Sequence, residues 1–353
     1  MSKKYRVAGI MSGTSLDGLD IAICDFIREG TDWFFEIIEA ETIIYSQTWK
    51  EKLSHAHTLS GFELMLLDAE YGKFIGKSTK YFLSKHKLKV ELIASHGHTV
   101  FHQPSMGITV QIGNGAYIAA ESHVPCVSNF RNLDVALHGQ GAPLVPIGDE
   151  LLFSSYDYCL NLGGFANISY QHLRKRIAYD ICPVNILLNH FSKQIGYDFD
   201  ENGRLGSVGQ IIKPLLTELN ALNYYQKKAP KSLGREWVEK EVLPLFDKYS
   251  ESPESYLRTL YEHISFQIIS ELPKRAEKNI LVTGGGANNQ FLIQLMQSKT
   301  KCKFIVPEKK IIDFKEALLF GFLGVLRWRR EKNCLASVTG ARHDNIGGII
   351  HLI

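Results

Sequence analysis

What this chain lacks narrows it first. Its six cysteines, at 24, 126, 159, 182, 302 and 334, form no C-x-x-C pair. A chain of 353 residues has no need of disulfide staples to hold a core, so reduced, mostly buried thiols and a cytoplasmic setting are expected. No run of 18 apolar residues occurs, and no membrane helix is expected. The opening MSKKYRVAGIMSG passes too quickly into a glycine turn for a signal peptide and reads as a first strand. Charge of one sign is also missing: 40 basic residues face 37 acidic ones, for a net charge of +3. The short runs Lys227-Lys228, Lys309-Lys310 and Arg327 to Arg330 read as solvated faces, so no nucleic-acid partner is expected. Finally, neither G-x-x-x-x-G-K-[ST] nor G-x-G-x-x-G is present, which excludes a P-loop and a dinucleotide fingerprint.

What is present is an alternation of strands and helices in both halves, with 45% hydrophobic residues to bury. YRVAGIM (5–11), LDIAICDF (19–26) and WFFEIIEA (33–40) predict an antiparallel sheet. The spacing of Leu64, Leu67, Tyr71, Phe74 and Ile75 predicts a long helix over 60–86. Residues 131–148 are rich in glycine and proline and read as a functional loop. YDYCLNLGGFANISY (156–170) then repeats the opening theme of strand, glycine turn, strand, and RKRIAYD is a third strand ending on Asp180. The repetition suggests an internal duplication. A chain of this length divides its core, so an α/β protein of two lobes is expected. Residues 1–130, joined by the tail 340–353, form the first lobe and 131–339 the second.

Three glycine turns follow predicted strands: Gly13 to Gly18, Gly163-Gly164, and Gly284-Gly285-Gly286. Glycine lets bare backbone N–H groups approach a ligand, and consecutive amides make an anion nest. The helix predicted after Gly286 adds its N-terminal dipole. A nucleotide is therefore the expected ligand. Thr14 and Ser15 can donate to phosphate oxygens. Asp17 and Asp20 bracket the same turn, where a carboxylate needs an intervening cation, so Mg²⁺ is expected there. Capping of backbone N–H groups is the other use of such aspartates.

Asp180, at a strand end before Ile181-Cys182-Pro183, is the candidate proton acceptor for phosphoryl transfer to an alcohol or water. His96, His98 and His102 fit sugar hydrogen bonds, with a metal site as the alternative. Arg131, next to Asp134, offers a planar fork for a carboxylate such as a lactyl group. Glu316 fits either sugar hydroxyls or the first turn of a helix.

Taken together, MSGTSLDGLD, ASHGHTV, TVQIGN, NFRNLDVALHGQGAPLVP, LNLGGFANIS, AYDICPVN, KSLGRE, VTGGGANN and KEALLFGFLG, in that order from residue 11 to 324, resemble the anhydro-N-acetylmuramic acid kinase family. The resemblance implies a two-lobed actin-like ATPase fold, that of sugar kinases, actin and Hsp70. Each lobe would be a mixed sheet flanked by helices, with the site in the cleft between lobes. It implies ATP, Mg²⁺ and water opening the 1,6-anhydro ring of this aminosugar and phosphorylating O6 for cell-wall recycling. By position, Gly13, Thr14, Ser15, Leu16, Asp17, Gly18, Leu19 and Asp20 fall on the phosphate-binding turn. Asp180 falls on the catalytic aspartate, and Gly284 to Gly286 on the turn under the nucleotide. Arg131, Asp134 and Gln140 fall in a segment implied to lie on the sugar side. A homodimer is also implied.

Four departures border the implied site. The family's D-x-G-P-G-N is Asp180-Ile181-Cys182-Pro183-Val184-Asn185 here, so two glycines become cysteine and valine. His98 stands for a glutamine, His138 for a glycine, and Ile147-Gly148-Asp149 for Ala-Phe-His. A related aminosugar as substrate, or a nucleotide- and sugar-binding protein without catalysis, is the alternative these changes leave open.

Overall fold

The computed structural model describes residues 3–13, 16–274 and 276–353. The chain forms two compact units, one of residues 1–152 and 314–353, the other of residues 153–313.

The first unit is built on a six-stranded sheet in the order β13-β7-β4-β1-β2-β3. Its strands are β1 (Lys3–Ser12), β2 (Gly18–Glu29), β3 (Asp32–Ile44), β4 (Leu92–Ser95), β7 (Cys126–Ser128) and β13 (Ile349–His351). Strands β1 to β3 run antiparallel as the sequence predicts, whereas β4 and β7 add in parallel. Between them a two-stranded ribbon forms from β5 (His98–Gln103) and β6 (Ile108–Ile112). Parallel additions require crossovers, and the helix Gly61–Lys85 lies in the first of them. It starts at a capping box between Ser60 and Glu63 and buries Leu67, Tyr71, Ile75 and Phe82.

A second helix, Lys309–Trp328, packs its later turns on this sheet. Contact is close because both sides lack side chains. A Cβ on Gly9 of β1 would lie 1.9 Å from the Ala317 carbonyl oxygen and 2.9 Å from the Gly321 nitrogen. Helix backbone thus rests on strand backbone, which fixes where Glu316 leaves the helix.

The second unit has five strands in the order β10-β9-β8-β11-β12. They are β8 (Tyr158–Leu162), β9 (Phe165–His172), β10 (Lys175–Pro183), β11 (Asn279–Thr283) and β12 (Lys303–Ile305). Again three strands form an antiparallel meander and two add in parallel. The repeated theme in the sequence is therefore a repeated topology. The core of this unit packs Leu160, Ile168 and Val282 against Leu257, Leu260 and Ile264 of the helix Pro253–Ser270.

The units divide later than residue 131 and rejoin earlier than residue 340, which corrects the expected boundaries. Asp134 is the physical reason. Its buried carboxylate accepts from Gly141 N–H, the Cys334 thiol, the Thr339 hydroxyl and the Asn345 amide. Segment 131–141 is thereby tied to the C-terminal tail, two hundred residues along the chain. Residues 131–148, expected as a loop, are also more ordered than that, with helices at Asn132–Ala136 and, from their end, Pro146–Leu152.

Candidate active site

In the first unit, β1 ends at Ser12 and opens the first glycine turn. Thr14 and Ser15, expected to contact phosphate, lie outside the described residues. Leu16 adopts a left-handed backbone (φ 59°) and Asp17 is exposed. Gly18 and Leu19 begin β2, and the Leu19 side chain is in the core. Asp20 accepts a hydrogen bond from the Thr42 hydroxyl at 2.6 Å.

Behind the turn runs a buried hydrogen-bond chain. Tyr45 donates to Ser12 Oγ at 2.8 Å, and the Tyr45 and Tyr71 hydroxyls are 2.5 Å apart. Because Tyr45 uses its proton on Ser12, Tyr71 donates to Tyr45. Ser12 in turn sits 3.1 Å from His98 Nδ1. The consistent arrangement has Ser12 donating to Nδ1, so His98 carries its proton on Nε2. Burial holds the His98 pKa down at about 4, which keeps the ring neutral.

His96 is enclosed, and both its ring nitrogens are in use. Nδ1 lies 2.9 Å from the Gly97 carbonyl, and Nε2 accepts from Arg131 Nε at 3.0 Å and Nη2 at 2.8 Å. Burial first, and the Arg131 charge second, push the His96 pKa well below its ordinary value. A histidine expected to touch sugar thus acts here as the acceptor that orients Arg131. The guanidinium also donates to the Gly141 carbonyl at 2.6 Å, and burial lowers its pKa to about 10. His102 Nδ1 pairs with the Thr109 hydroxyl at 3.1 Å. Among the described residues no group of three or more His, Cys, Asp or Glu side chains could hold a metal ion. The three histidines are engaged by Arg131, Ser12 and Thr109 as hydrogen-bond partners.

Asp134, expected on the sugar side, is instead fully buried and committed to the tail contacts described above. Gln140 is exposed, with its N–H donating to the Thr339 carbonyl. Glu316 keeps an exposed side chain. Its carboxyl is nonetheless raised, first by the protein crowded around it and then by the Asp20 carboxylate, with Arg131 and Lys315 opposing.

In the second unit, Asp180 lies at a bulge of the edge strand β10, where the register with β9 shifts between Asp180 and Cys182. Its carboxylate accepts one hydrogen bond, from Leu233 N–H at 2.9 Å, and has no ion-pair partner among the described residues. Burial raises its pKa, and the Leu233 bond opposes the rise. A half-buried carboxylate with no cation to neutralise it is suited to taking a proton.

The two glycine turns of this unit differ in use. The carbonyls of Gly163 and Gly164 accept from the N–H groups of Val184, Asn185 and Ile186, capping the helix Asn185–Gln194. At the other turn Gly284 has φ 81°, and an added Cβ would lie 2.8 Å from the Leu162 carbonyl oxygen. Gly286 packs on Leu162, while Gly285 is exposed. The following helix starts at Gln290, later than expected, and its Leu292 N–H is already capped by the Asn289 side chain. Only part of the expected helix-end donor set is therefore open to an anion.

The departures from the family pattern are absorbed structurally. Neither Cys182 nor Val184 has a positive φ, and both side chains are buried in the second unit's core. His138 keeps the left-handed turn (φ 67°) that glycine favours and pairs with Arg342 at 2.6 Å. Leu319 fills the space beside Gly148, and Asp149 pairs with Lys315 at 2.8 Å.

Two sheets of one topology, glycine turns at strand ends and a carboxylate without a cation outline a phosphotransferase. The model of the anhydro-N-acetylmuramic acid kinase family matches residues 5–352, and the chain belongs to that family. A relative of that name from Mannheimia succiniciproducens is 34% identical, covering 99% of each chain. One from Hydrogenovibrio crunogenus is 32% identical over 99% of this chain and 98% of its own. A Bacillus cereus relative is 29% identical over 98% of each.

Proposed function

We infer that this chain is an ATP-dependent kinase acting on anhydro-N-acetylmuramic acid, yielding N-acetylmuramic acid 6-phosphate for peptidoglycan recycling. The observation that carries the reading is the family match from residue 5 to 352, with Asp180 a raised carboxyl, free of any ion pair among the described residues, where the family has its catalytic aspartate.

In this reading Asp180 accepts a proton from the water that attacks C1. The C1–O6 bond breaks, O6 takes the γ-phosphoryl group of ATP, and ADP leaves. Burial tunes the base, since a proton acceptor works best with its pKa drawn toward the working pH. Backbone amides of Gly13 to Gly18 and of Gly284 to Gly286 would approach the phosphates, with Gly163-Gly164 bracing the strand that delivers Asp180. Arg131, oriented by His96, faces the sugar side with Gln140 and Glu316. Asp17 and Asp20 would hold Mg²⁺. Asp20 and Glu316 repel each other, with Arg131 and Lys315 opposing, and a bound cation would ease that repulsion further. When bound, Mg²⁺ neutralises charge on the transferring phosphoryl group.

The finer reading of the fold, a two-lobed actin-like ATPase with its site in the interlobe cleft, belongs to this proposal and follows the family resemblance. So do a homodimeric state and a cytoplasmic location. No helix among the described residues is long and apolar enough to cross a membrane. The test is ADP release with ATP and Mg²⁺ across a panel of 1,6-anhydro and reducing aminosugars. Turnover confined to the anhydro-N-acetylmuramic acid well is expected. Nucleotide binding without turnover of any sugar would overturn the reading.

A further inference from the structure

The motif KSLGRE has no role in the chemistry above, yet it lies against the catalytic strand. Because β10 is the edge of its sheet, the outer N–H and carbonyl of Asp180 have no strand partner. The chain supplies both from elsewhere. Asp180 N–H donates to the Lys231 carbonyl at 3.2 Å. The Asp180 carbonyl accepts from the Tyr224 hydroxyl at 2.7 Å. Two residues beyond Lys231, the Leu233 N–H binds the carboxylate itself. Segment 231–233 therefore grips the backbone and the side chain of Asp180 together.

What holds that segment is the Lys231 side chain, which is only 4% exposed. Its ammonium lies 3.2 Å from Glu271 Oε1, and 5.4 Å and 5.2 Å from the ring centres of Tyr179 and Tyr224. Tyr179 completes the clasp by donating to Glu271 Oε2 at 2.9 Å. A buried lysine with one carboxylate and two aromatic faces is an anchor. It places no charge of its own against the Asp180 carboxylate, which it reaches through the chain.

We propose that Lys231 is a positioning residue for Asp180, its clasp with Glu271, Tyr179 and Tyr224 holding the Leu233 N–H on the catalytic carboxylate. The inference rests on the proposed function for its link to catalysis, though not for its geometry. Loss of the anchor frees the Leu233 N–H, and the bond that holds the Asp180 pKa down goes with it. The carboxyl then titrates higher, so the acid limb of the rate profile moves to higher pH. The other titratable groups around Asp180 are Tyr224 and Cys182, with Lys231 and Glu271 behind them. Burial keeps Tyr224 and Cys182 neutral throughout that range.

The experiment compares Lys231→Met, Lys231→Arg and Glu271→Gln with the unaltered chain in two readouts. One is the ¹³Cγ titration of Asp180, which needs no turnover. The other is the pH profile of kcat and KM with anhydro-N-acetylmuramic acid, ATP and Mg²⁺. Lys231→Met and Glu271→Gln are expected to raise the Asp180 midpoint by roughly 0.5 to 1 pH unit, while Lys231→Arg stays near the original. The acid limb should move with the midpoint. For Lys231→Met, kcat should fall about 10- to 100-fold, with KM for both substrates within about twofold. An unshifted Asp180 midpoint in folded Lys231→Met and Glu271→Gln protein would overturn the inference. A raised KM with kcat unchanged would also overturn it, by making Lys231 a substrate contact. If the unaltered chain turns over no sugar, the proposed function fails, while the ¹³C titration still decides the role of Lys231.

Discussion

The two units share one order over five strands, to which the first adds β13, and they end their strands in different chemistry. Just past the third strand of its meander, the first unit places Tyr45, which feeds a closed chain of hydroxyls into His98. Within its own third strand, at the bulge, the second places Asp180, a carboxylate with one backbone donor. At the end of the fourth strand the first unit has His96, locked to Arg131, and the second has three glycines. At these strand ends one topology carries satisfied side-chain networks in the first unit, and open backbone with a carboxylate on one backbone donor in the second. Under the proposed function, proton chemistry falls to the unit that carries Asp180, whose carboxyl is raised by burial and held by one backbone donor.

The sharpest way to break that comparison is Asp180→Asn. Turnover should fall about 10²- to 10⁴-fold, with nucleotide affinity measured by calorimetry little changed. A comparable loss from Tyr45→Phe, with Asp180→Asn still active, would reverse the assignment of the two units.

Acid should expose a likeness between them. His98 in the first unit and His263 in the second are buried, with burial holding their pKa values at about 4 and about 3. Both lie below the unfolded value near 6.5. The unfolded chain therefore binds more protons, and the stability of the neutral rings is complete above pH ~6.5 and lost as pH falls toward the folded values. For His98 the loss between pH 7 and pH 5 is roughly 2 kcal/mol. His98→Gln, which installs the family's usual residue, should flatten the stability profile by that share in urea titrations at the two pH values. An unchanged slope would contradict the buried neutral ring.

Glycine substitutions sharpen the comparison further. Gly9→Ala drives a methyl group into the backbone of the helix over β1 and should cost about 1–3 kcal/mol or more. Gly164→Ala meets no atom within 4 Å and needs no positive φ, so a change within ~0.5 kcal/mol is expected. Thermal unfolding of the two variants checks both. Equal effects would mean that the open turn of the second unit is packed after all.

Much of this was legible in the sequence because the signals are local. The Ser60–Glu63 box and the spacing of Leu67, Tyr71 and Ile75 give the first long helix. Alternation of strand and glycine turn gives both meanders, although the strand read as ending on Asp180 runs on through a bulge to Pro183. What was not legible depends on partners far away. Asp134 is consumed by Cys334, Thr339 and Asn345, which moves the boundary between units. His96 is consumed by Arg131, which turns an expected sugar contact into a support. Lys231 gave only a family-like motif as signal, since its burial depends on Glu271, Tyr179 and Tyr224 meeting around it. The cost of Cys182 and Val184 in place of glycine was equally hidden, because it turns on backbone angles that no residue name reveals.

Ring opening by water, with Asp180 as the proton acceptor, is best tested by the mass of the sugar product. After incubation with ATP, Mg²⁺ and anhydro-N-acetylmuramic acid, the product should carry both a phosphoryl group and the elements of water, and Asp180→Asn protein should form almost none. A product that gains phosphate yet keeps its anhydro ring, or equal yield from the Asn variant, would contradict the account.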